Sequence, residues 1–170
     1  MLVLTTDRLD LRQLREDDAD FIFRLLNDPS WLRFIGDRGV RNLDDARRYI
    51  VNGPVAMYEA AGFGLFVVER RGDGAMMGLC GLLKRAGLDD IDIGFAFFPE
   101  FGGQGYAFEA ARATVDYAFA QHGLRRIVAI TAQDNIASIR LLEKLGFVQE
   151  RNITLPNETE SLRLFAVEAR

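Results

Sequence analysis

The stretch Phe98-Pro-Glu-Phe-Gly-Gly-Gln-Gly-Tyr-Ala107 is the sequence feature around which the rest of the chain can be arranged. Residues 91–97 before it alternate as in a strand, and apolar residues within 108–122 recur at helical spacing. A glycine-rich turn between a strand and a helix directs main-chain N–H groups and the positive helix end towards one point. Because glycine has no Cβ, the backbone of this turn can approach a phosphate closely. The stretch therefore predicts a site for the phosphate groups of a cofactor.

The glycine spacing matches neither of the two common nucleotide-binding loops. The stretch lacks Gly-x-x-x-x-Gly-Lys-Ser/Thr, the loop that cradles the phosphates of nucleoside triphosphates. It also lacks Gly-x-Gly-x-x-Gly, and the strands before it do not begin a strand–helix–strand unit. The loop by itself indicates an anion site without identifying the cofactor.

The remaining patterns predict the order of strands and helices. Strands are predicted over residues 9–13, 64–69, 76–84, 91–97 and 127–131, from 147 onward, and over 162–167. Helices are predicted over 15–27, 42–61 with a break at Gly53-Pro54, 107–122 and 135–145, and residues 31–36 are predicted to form a loop. We expect one α/β (α+β) domain over residues 1–170, with a mixed, mostly antiparallel sheet of seven strands and helices on both faces. The glycine-rich loop should then lie at the carboxyl end of its strand, where such sheets bind ligands.

The composition excludes several classes of protein. The 170 residues are 49% hydrophobic and 27% charged, with a net charge of −4, so no large nucleic-acid surface is expected. The one cysteine, Cys80, lies in an apolar stretch and is predicted to be buried, and no metal site is predicted. No apolar run approaches the ~20 residues of a membrane span, and the first residues do not resemble a signal peptide. We therefore expect a cytoplasmic protein that does not bind membranes.

A second stretch, Asn135-Ile-Ala-Ser-Ile-Arg-Leu-Leu-Glu-Lys-Leu-Gly-Phe147, identifies the family. With the glycine-rich loop, it resembles the GNAT superfamily of acyl-CoA-dependent N-acetyltransferases, and within it the RimJ/RimL type that acetylates N-termini of ribosomal proteins. The segments Thr6-Asp-Arg-Leu-Asp-Leu-Arg12 and Asn27-Asp-Pro-Ser30 also match that group. The superfamily motif Gln/Arg-x-x-Gly-x-Gly/Ala falls on residues 102–107, where Gly105 and Ala107 match and Gly102 departs.

The resemblance implies acetyl-CoA as the cofactor, in the GNAT fold with its splayed pair of central parallel strands. The pantetheine arm would lie in the gap between these strands, against the backbone of residues 95–97. Asn135 has an alternative role as a helix N-cap, and Arg140 as a solvated surface residue. The cofactor-binding residues implied in this way are Phe95, Ala96, Phe97, Gly102, Gly103, Gln104, Gly105, Tyr106, Ala107, Asn135, Ser138 and Arg140.

Two residues are candidates for catalysis. Ser138 stands where the family places a hydroxyl near the cofactor sulfur, so it could protonate the leaving thiolate; the alternative is a serine that bonds the first helical turn. Asp92 stands where related sequences often carry Glu, and it faces away from the apolar residues 91, 93 and 95. Its carboxylate could take a proton from the attacking ammonium, and a structural or solvated role is the alternative.

The acceptor is expected to be a primary amine that attacks the acetyl-CoA thioester directly. Trp31, Arg33 and Phe34 are candidate residues of its binding site, although Trp31 and Phe34 could instead only pack the first helices. An α-amine, with a pKa of about 8, loses its proton more readily than a lysine amine at about 10.4. The leading prediction is therefore acetylation of a protein N-terminus, and the resemblance implies a monomer or homodimer. The alternatives are a small-molecule amine (antibiotic, polyamine or amino acid) and a weakly catalytic CoA-binding sensor.

Overall fold

A computed structural model describes residues 1–170. In it the glycine-rich loop joins the fifth strand of an eight-stranded sheet to the longest helix. The strands are β1 Leu2–Thr5, β2 Leu9–Gln13, β3 Leu65–Arg70, β4 Met76–Leu83, β5 Asp92–Phe97, β6 Arg126–Ala132, β7 Val148–Ile153 and β8 Leu162–Glu168. The α-helices are α1 Ala19–Leu26, α2 Pro29–Phe34, α3 Leu43–Ile50, α4 Ala56–Ala61, α5 Tyr106–Gln121 and α6 Ile136–Lys144. Short 3-10 turns cover Glu16–Asp18 and Pro99–Phe101, and a π-helical segment covers Val51–Val55.

The sheet confirms the predicted mixed, mostly antiparallel architecture, with one more strand than expected. Its order is β1-β2-β3-β4-β5-β6-β8-β7, and only β5 and β6 run parallel. The additional strand, β1, lies at the edge of the sheet, and its four residues are too few to show a clear alternating pattern. One apolar cluster packs α5 and α6 against one face of the sheet, and another packs α1, α2 and α3 against the opposite face.

The parallel strands β5 and β6 separate soon after they meet. Their only paired residues are Asp92 and Val128, and the Val128 N–H donates to the Ile91 carbonyl at 3.0 Å. Farther along β5, the Phe98 N–H donates to the Met77 carbonyl of β4, also at 3.0 Å. Main-chain groups alternate between the two sides of a strand. The groups of residues 95 and 97 therefore point away from β4, into the gap that opens between β5 and β6.

Two predicted interruptions in the first half of the chain are helical in the structure. The segment 31–36 was expected to be a loop, but Trp31 and Phe34 belong to α2. Asp28 starts that helix by accepting the Ser30 N–H at 3.0 Å, and Pro29 occupies the first helical turn, where its missing N–H costs nothing. The expected break at Gly53-Pro54 is wrong as well. There the backbone widens into the π-helical segment, which carries Pro54 without ending the helix.

The single cysteine is buried, as predicted. Cys80 is fully enclosed between β4 and α5, and its Sγ lies 3.4 Å from Thr114 Oγ1. Burial raises the pKa of the Cys80 thiol to about 12, so the thiolate is not formed at neutral pH. None of the helices combines the length and the apolar character that crossing a membrane would require.

Candidate active site

A cavity of about 840 Å³ opens where β5 and β6 separate. It reaches from the glycine-rich loop and α6 at one side to α2, α3 and the β4–β5 and β7–β8 loops at the other. The structure thus brings together segments that are far apart in the sequence. Of the residues predicted to bind the cofactor, those that line this cavity are Phe95, Ala96, Phe97, Gly102, Gly103, Gly105, Tyr106, Ala107, Asn135, Ser138 and Arg140.

The glycine-rich loop has the conformation of an anion cradle. Gly103 and Gly105 have φ angles of 73° and 82°, in the left-handed region that favours glycine. A Cβ on Gly103 would meet no atom within 4 Å, so the backbone there borders open space. Gly105 precedes α5, whose first N–H groups have no partner within the helix. Gly102 is extended, and its departure from the family motif leaves these main-chain donors in place.

A side-chain clamp that the sequence analysis missed holds this loop. Arg8 Nη1 donates to the Gln104 carbonyl at 3.0 Å, Arg8 Nε donates to Glu109 at 2.7 Å, and the guanidinium lies 4.4 Å from the Tyr106 ring centre. Thr6 Oγ1 donates to the same Glu109 carboxylate at 2.5 Å. Gln104, predicted to bind the cofactor, does not line the cavity and contributes its carbonyl to the clamp. The signal was present in the matching segment that begins at residue 6.

The start of α6 places three of the predicted residues on one wall. Asn135 caps the helix, since its Oδ1 accepts the Ser138 N–H at 3.3 Å. This is the alternative role considered for Asn135, and its amide nitrogen remains without a bond. The Ser138 hydroxyl makes no hydrogen bond within the protein. Arg140 is exposed, and Lys144 at the end of α6 adds a second cation to the same wall.

Asp92 is buried at the point where β5 and β6 part. Its side chain is 1% exposed, and Arg85 donates to both carboxylate oxygens, Nε to Oδ1 and Nη2 to Oδ2, each at 3.0 Å. Burial raises the pKa of Asp92 above its ordinary value, and the charge of Arg85 opposes this shift. Asp92 is therefore an ion-paired carboxylate in the cavity wall, with almost no exposed surface of its own. The sequence carries no signal for Arg85 beyond its place in the loop between β4 and β5.

The three candidate acceptor-binding residues take different positions. Trp31 lines the cavity and is also buried in the apolar cluster of the first helices, so its position suits both roles considered for it. Phe34 is half-buried and lines the cavity. Arg33 does not line the cavity, since its exposed side chain forms an ion pair with Asp134 at 3.1 Å. The side of the cavity opposite the glycine-rich loop is the candidate acceptor half. It contains further polar residues: Arg38, Tyr49, Lys84, Arg85, Glu158 and Glu160.

Comparison with known proteins agrees with this geometry. Residues 8–148 match the family model of the acetyltransferase (GNAT) domain. YoaA of Bacillus subtilis, an uncharacterised N-acetyltransferase, is 34% identical over 149 residues, which cover 87% of this chain and 84% of YoaA. A GNAT-family acetyltransferase structure from Bacillus anthracis shares 27% identity with a TM-score of 0.80, covering 99% of this chain and 98% of that one.

A more distant structure shows the same fold with the cofactor present. It is RimL, a ribosomal L7/L12 alpha-N-protein acetyltransferase in complex with coenzyme A, with 17% identity and a TM-score of 0.84 over 99% of this chain and 98% of RimL. The splayed strands, the cradle before α5 and the adjoining cavity are features that suit the acyl-CoA used by this family. The match over residues 8–148 and the identity to YoaA establish that the chain belongs to the GNAT family of acetyltransferases.

Proposed function

We propose that the protein transfers the acetyl group of acetyl-CoA to the α-amine at the N-terminus of a protein. The observation that carries this proposal is the gap between β5 and β6, which joins an anion cradle to a cavity large enough for a peptide end. RimL, which shares the fold, acts on such an α-amine. Acetyl-CoA supplies the thioester, and the chain supplies binding, orientation and charge.

The main chain performs most of the cofactor binding in this proposal. The main-chain N–H and C=O groups of Phe95 and Phe97 that face the gap would hold the pantetheine arm, and the N–H groups after Gly102 would hold the pyrophosphate. Arg140 and Lys144 add positive charge beside that position. A main-chain N–H of the 95–97 segment donates to the oxyanion that develops on the acetyl carbonyl. Fixing both reactants in this way lowers the activation barrier by up to ~7–11 kcal/mol.

Ser138 is the proposed acid for the leaving thiolate. Its hydroxyl is on the cavity wall and makes no bond within the protein, so its proton is available. Asp92 is the candidate that receives the proton of the ammonium, directly or through water. Burial raises the pKa of Asp92, which strengthens it as a base, whereas the bidentate bond with Arg85 restrains it.

The proposed acceptor follows from the scarcity of bases in the cavity. Its carboxylates are Asp92, held by Arg85, and the exposed Glu158 and Glu160 of the β7–β8 loop. The only histidine, His122, hydrogen-bonds Tyr117 at 2.8 Å and does not line the cavity. At neutral pH an α-amine is unprotonated roughly 300-fold more often than a lysine amine. A site with one restrained base therefore favours the α-amine.

The test is a comparison of acceptors with purified protein and acetyl-CoA. One peptide has a free α-amine and no lysine, a second has a blocked α-amine and one lysine, and spermidine and serine represent small amines. We expect kcat/KM for the first peptide to exceed that for the second by at least about 10-fold, and to rise with pH up to about 8. A thiol reagent reports the released CoA, and Cys80 does not interfere because it is buried.

The other outcomes separate the competing functions. Acetylation of spermidine or serine, with neither peptide modified, would contradict the N-terminal acceptor and favour a small-molecule enzyme. Binding of CoA without transfer to any amine would favour the sensor. Mass spectrometry of the peptide product locates the acetyl group on the α-amine or on the lysine side chain.

A further inference from the structure

Arg85 presents an unused edge of its guanidinium to the acceptor half of the cavity. Its Nε and Nη2 donate to Asp92 at 3.0 Å each, and its Nη1 makes no hydrogen bond within the protein. The side chain is 29% exposed and lines the cavity, whereas the Asp92 side chain is 1% exposed. Arg85 is thus fixed by Asp92 on one edge and free on the other. A guanidinium held in this way is prepared to bind an oxygen anion.

The residues near Arg85 add positive charge to this part of the cavity. Arg38 and Lys84 line it as well, and neither forms an ion pair within the protein. The Tyr49 hydroxyl also faces this region without a hydrogen-bond partner; burial raises its pKa, and the charges of Arg38 and Arg85 oppose the shift. Three carboxylates line the same region: Asp92, which pairs with Arg85, and Glu158 and Glu160, which are exposed on the β7–β8 loop and form no ion pair. Arg85 therefore differs from the other charged groups of this region in its fixed orientation, because it is the one cation here that an ion pair holds in place.

We propose that Arg85, oriented by Asp92, binds a carboxylate of the acceptor, with Arg38, Lys84 and Tyr49 as supporting groups. The proposal rests on the proposed function and specifies its substrate class: α-amines that carry an acidic group nearby. Arg85 is then a specificity-determining residue. Asp92 acts at least in part as a positioning residue, through the arginine that it orients.

The position of Arg85 along the sheet favours a peptide over a free amino acid. Asp92 precedes Phe95 by three residues on β5, and a strand rises about 3.3 Å per residue, so the two lie about 10 Å apart. An acidic side chain on the second residue of an extended peptide, together with the length of the arginine, spans this distance. The carboxylate of a free amino acid stays beside its own amine and falls short. We therefore assign the carboxylate to the second residue of the acceptor peptide.

The experiment compares matched acceptors that differ only in charge. The peptides Ser-Glu-Ala-Gly and Ser-Gln-Ala-Gly, both amidated at the C-terminus, form one pair, and serine and serinamide form the other. For the unmodified protein we expect kcat/KM to favour the Glu peptide by about 10- to 100-fold, mainly through KM. Serine and serinamide should differ by less than about threefold once each rate is divided by the fraction of unprotonated amine, because the carboxylate of serine raises the pKa of its own amine.

Variants then assign the preference to Arg85. Arg85→Met should reduce the ratio of kcat/KM for the Glu peptide to that for the Gln peptide to near unity, by raising KM for the Glu peptide alone. Arg85→Lys keeps the charge and loses the planar, two-pronged guanidinium, so it should give an intermediate ratio. Asp92→Asn should lower the ratio with CoA binding unchanged. The matched control is Arg47→Met, because Arg47 is an exposed arginine of α3 outside the cavity. Thermal unfolding with and without CoA establishes that each variant is folded.

Three results would overturn the inference. Equal kcat/KM for the Glu and Gln peptides with the unmodified protein would show that no contact with the carboxylate is needed. A loss in Arg85→Met and Arg85→Lys that affects both peptides equally would make Arg85 structural. A preference confined to serine over serinamide would place the carboxylate on a free amino acid. The proposed function would still stand after the first two results, whereas the absence of transfer to any α-amine would overturn it together with this inference.

Discussion

Ser138 illustrates how one residue can serve the helix and the site with different atoms. Its N–H is used by the Asn135 side chain, which starts α6, and this bond fixes the direction of the first turn. Its hydroxyl has no partner in the protein and lines the cavity. A serine that only stabilised the helix would turn its hydroxyl to a backbone group of the first turn. The geometry is therefore consistent with the proposed acid.

Replacing Ser138 tests that role. Ser138→Ala should lower kcat by about 100-fold, because the thiolate would leave without a proton, and should change the CoA dissociation constant by less than about threefold. Initial rates and calorimetric titration with CoA measure the two quantities. Ser161→Ala, at an exposed serine outside the cavity, is the control and should leave both unchanged. An unaltered rate in Ser138→Ala would exclude the serine as the acid.

At the scale of elements, the close approach of β4 to its neighbours depends on two glycines. A Cβ on Gly78 would lie 2.2 Å from the Ala96 carbonyl oxygen of β5, and one on Gly81 would lie 2.0 Å from the Gly64 carbonyl oxygen beside β3. Both obstacles are main-chain atoms, which cannot move away without disturbing the strand pairing. Gly78 therefore permits the close approach of β5, whose far end borders the gap between β5 and β6, and Gly81 permits that of β3.

Gly81→Ala should destabilise the protein by about 1–3 kcal/mol, because the sheet must shift to admit the methyl group. Gly53→Ala is the matched control: its added Cβ meets no atom within 4 Å, and the residue lies inside a helical segment. There alanine should be neutral or should stabilise by up to about 1 kcal/mol. Urea unfolding of both variants measures the difference, and equal midpoints would contradict the steric argument.

At the scale of the whole molecule, one buried ion-pair network connects the sheet to the first helices. Arg12 of β2 donates to both oxygens of Asp18 at 2.9 Å and also pairs with Glu69 of β3. Burial by itself would raise the pKa of Asp18, but the bonds from Arg12 and the Arg15 N–H hold it below its ordinary value of 3.8. The ionised form of Asp18 is thus the one that stabilises the fold.

This network predicts a specific loss of stability in acid. Because the pKa of Asp18 is lower in the folded than in the unfolded state, its contribution is complete above pH 3.8 and is lost as pH falls through the folded value. At neutral pH, Asp18→Asn should cost about 3–5 kcal/mol, since it leaves Arg12 buried without its main partner. Urea unfolding from about pH 2.5 to about pH 7 measures both effects.

The control for this prediction is Asp20→Asn. Asp20 is 69% exposed and pairs with Arg24 on the surface of α1, so its replacement should change stability by less than about 0.5 kcal/mol. An acid limb that is equally steep in Asp18→Asn and in the unmodified protein would contradict the assignment to Asp18.

The sequence by itself determined the features that depend on neighbouring residues. Turn glycines, helix caps and hydrophobic periodicity act within a few residues, so the strand–loop–helix unit around Gly105, the cap at Asn135 and the family motifs could all be recognised. The mixed sheet followed from the order of these elements. Local rules failed at 31–36 and at Gly53-Pro54, where a capped short helix and a π-helical segment replaced the expected loop and break.

Only the tertiary structure decided which distant residues meet. The clamp of Arg8 on the glycine-rich loop, the bidentate pairing of Arg85 with Asp92 and the single contact that ends the β5–β6 pairing depend on strand register and packing. These quantities are set by the sum of many weak contacts across the core, and no short pattern encodes them. For this reason motifs predicted the residues that line the cavity beside the glycine-rich loop, whereas the charged residues at its opposite side became visible in the folded protein.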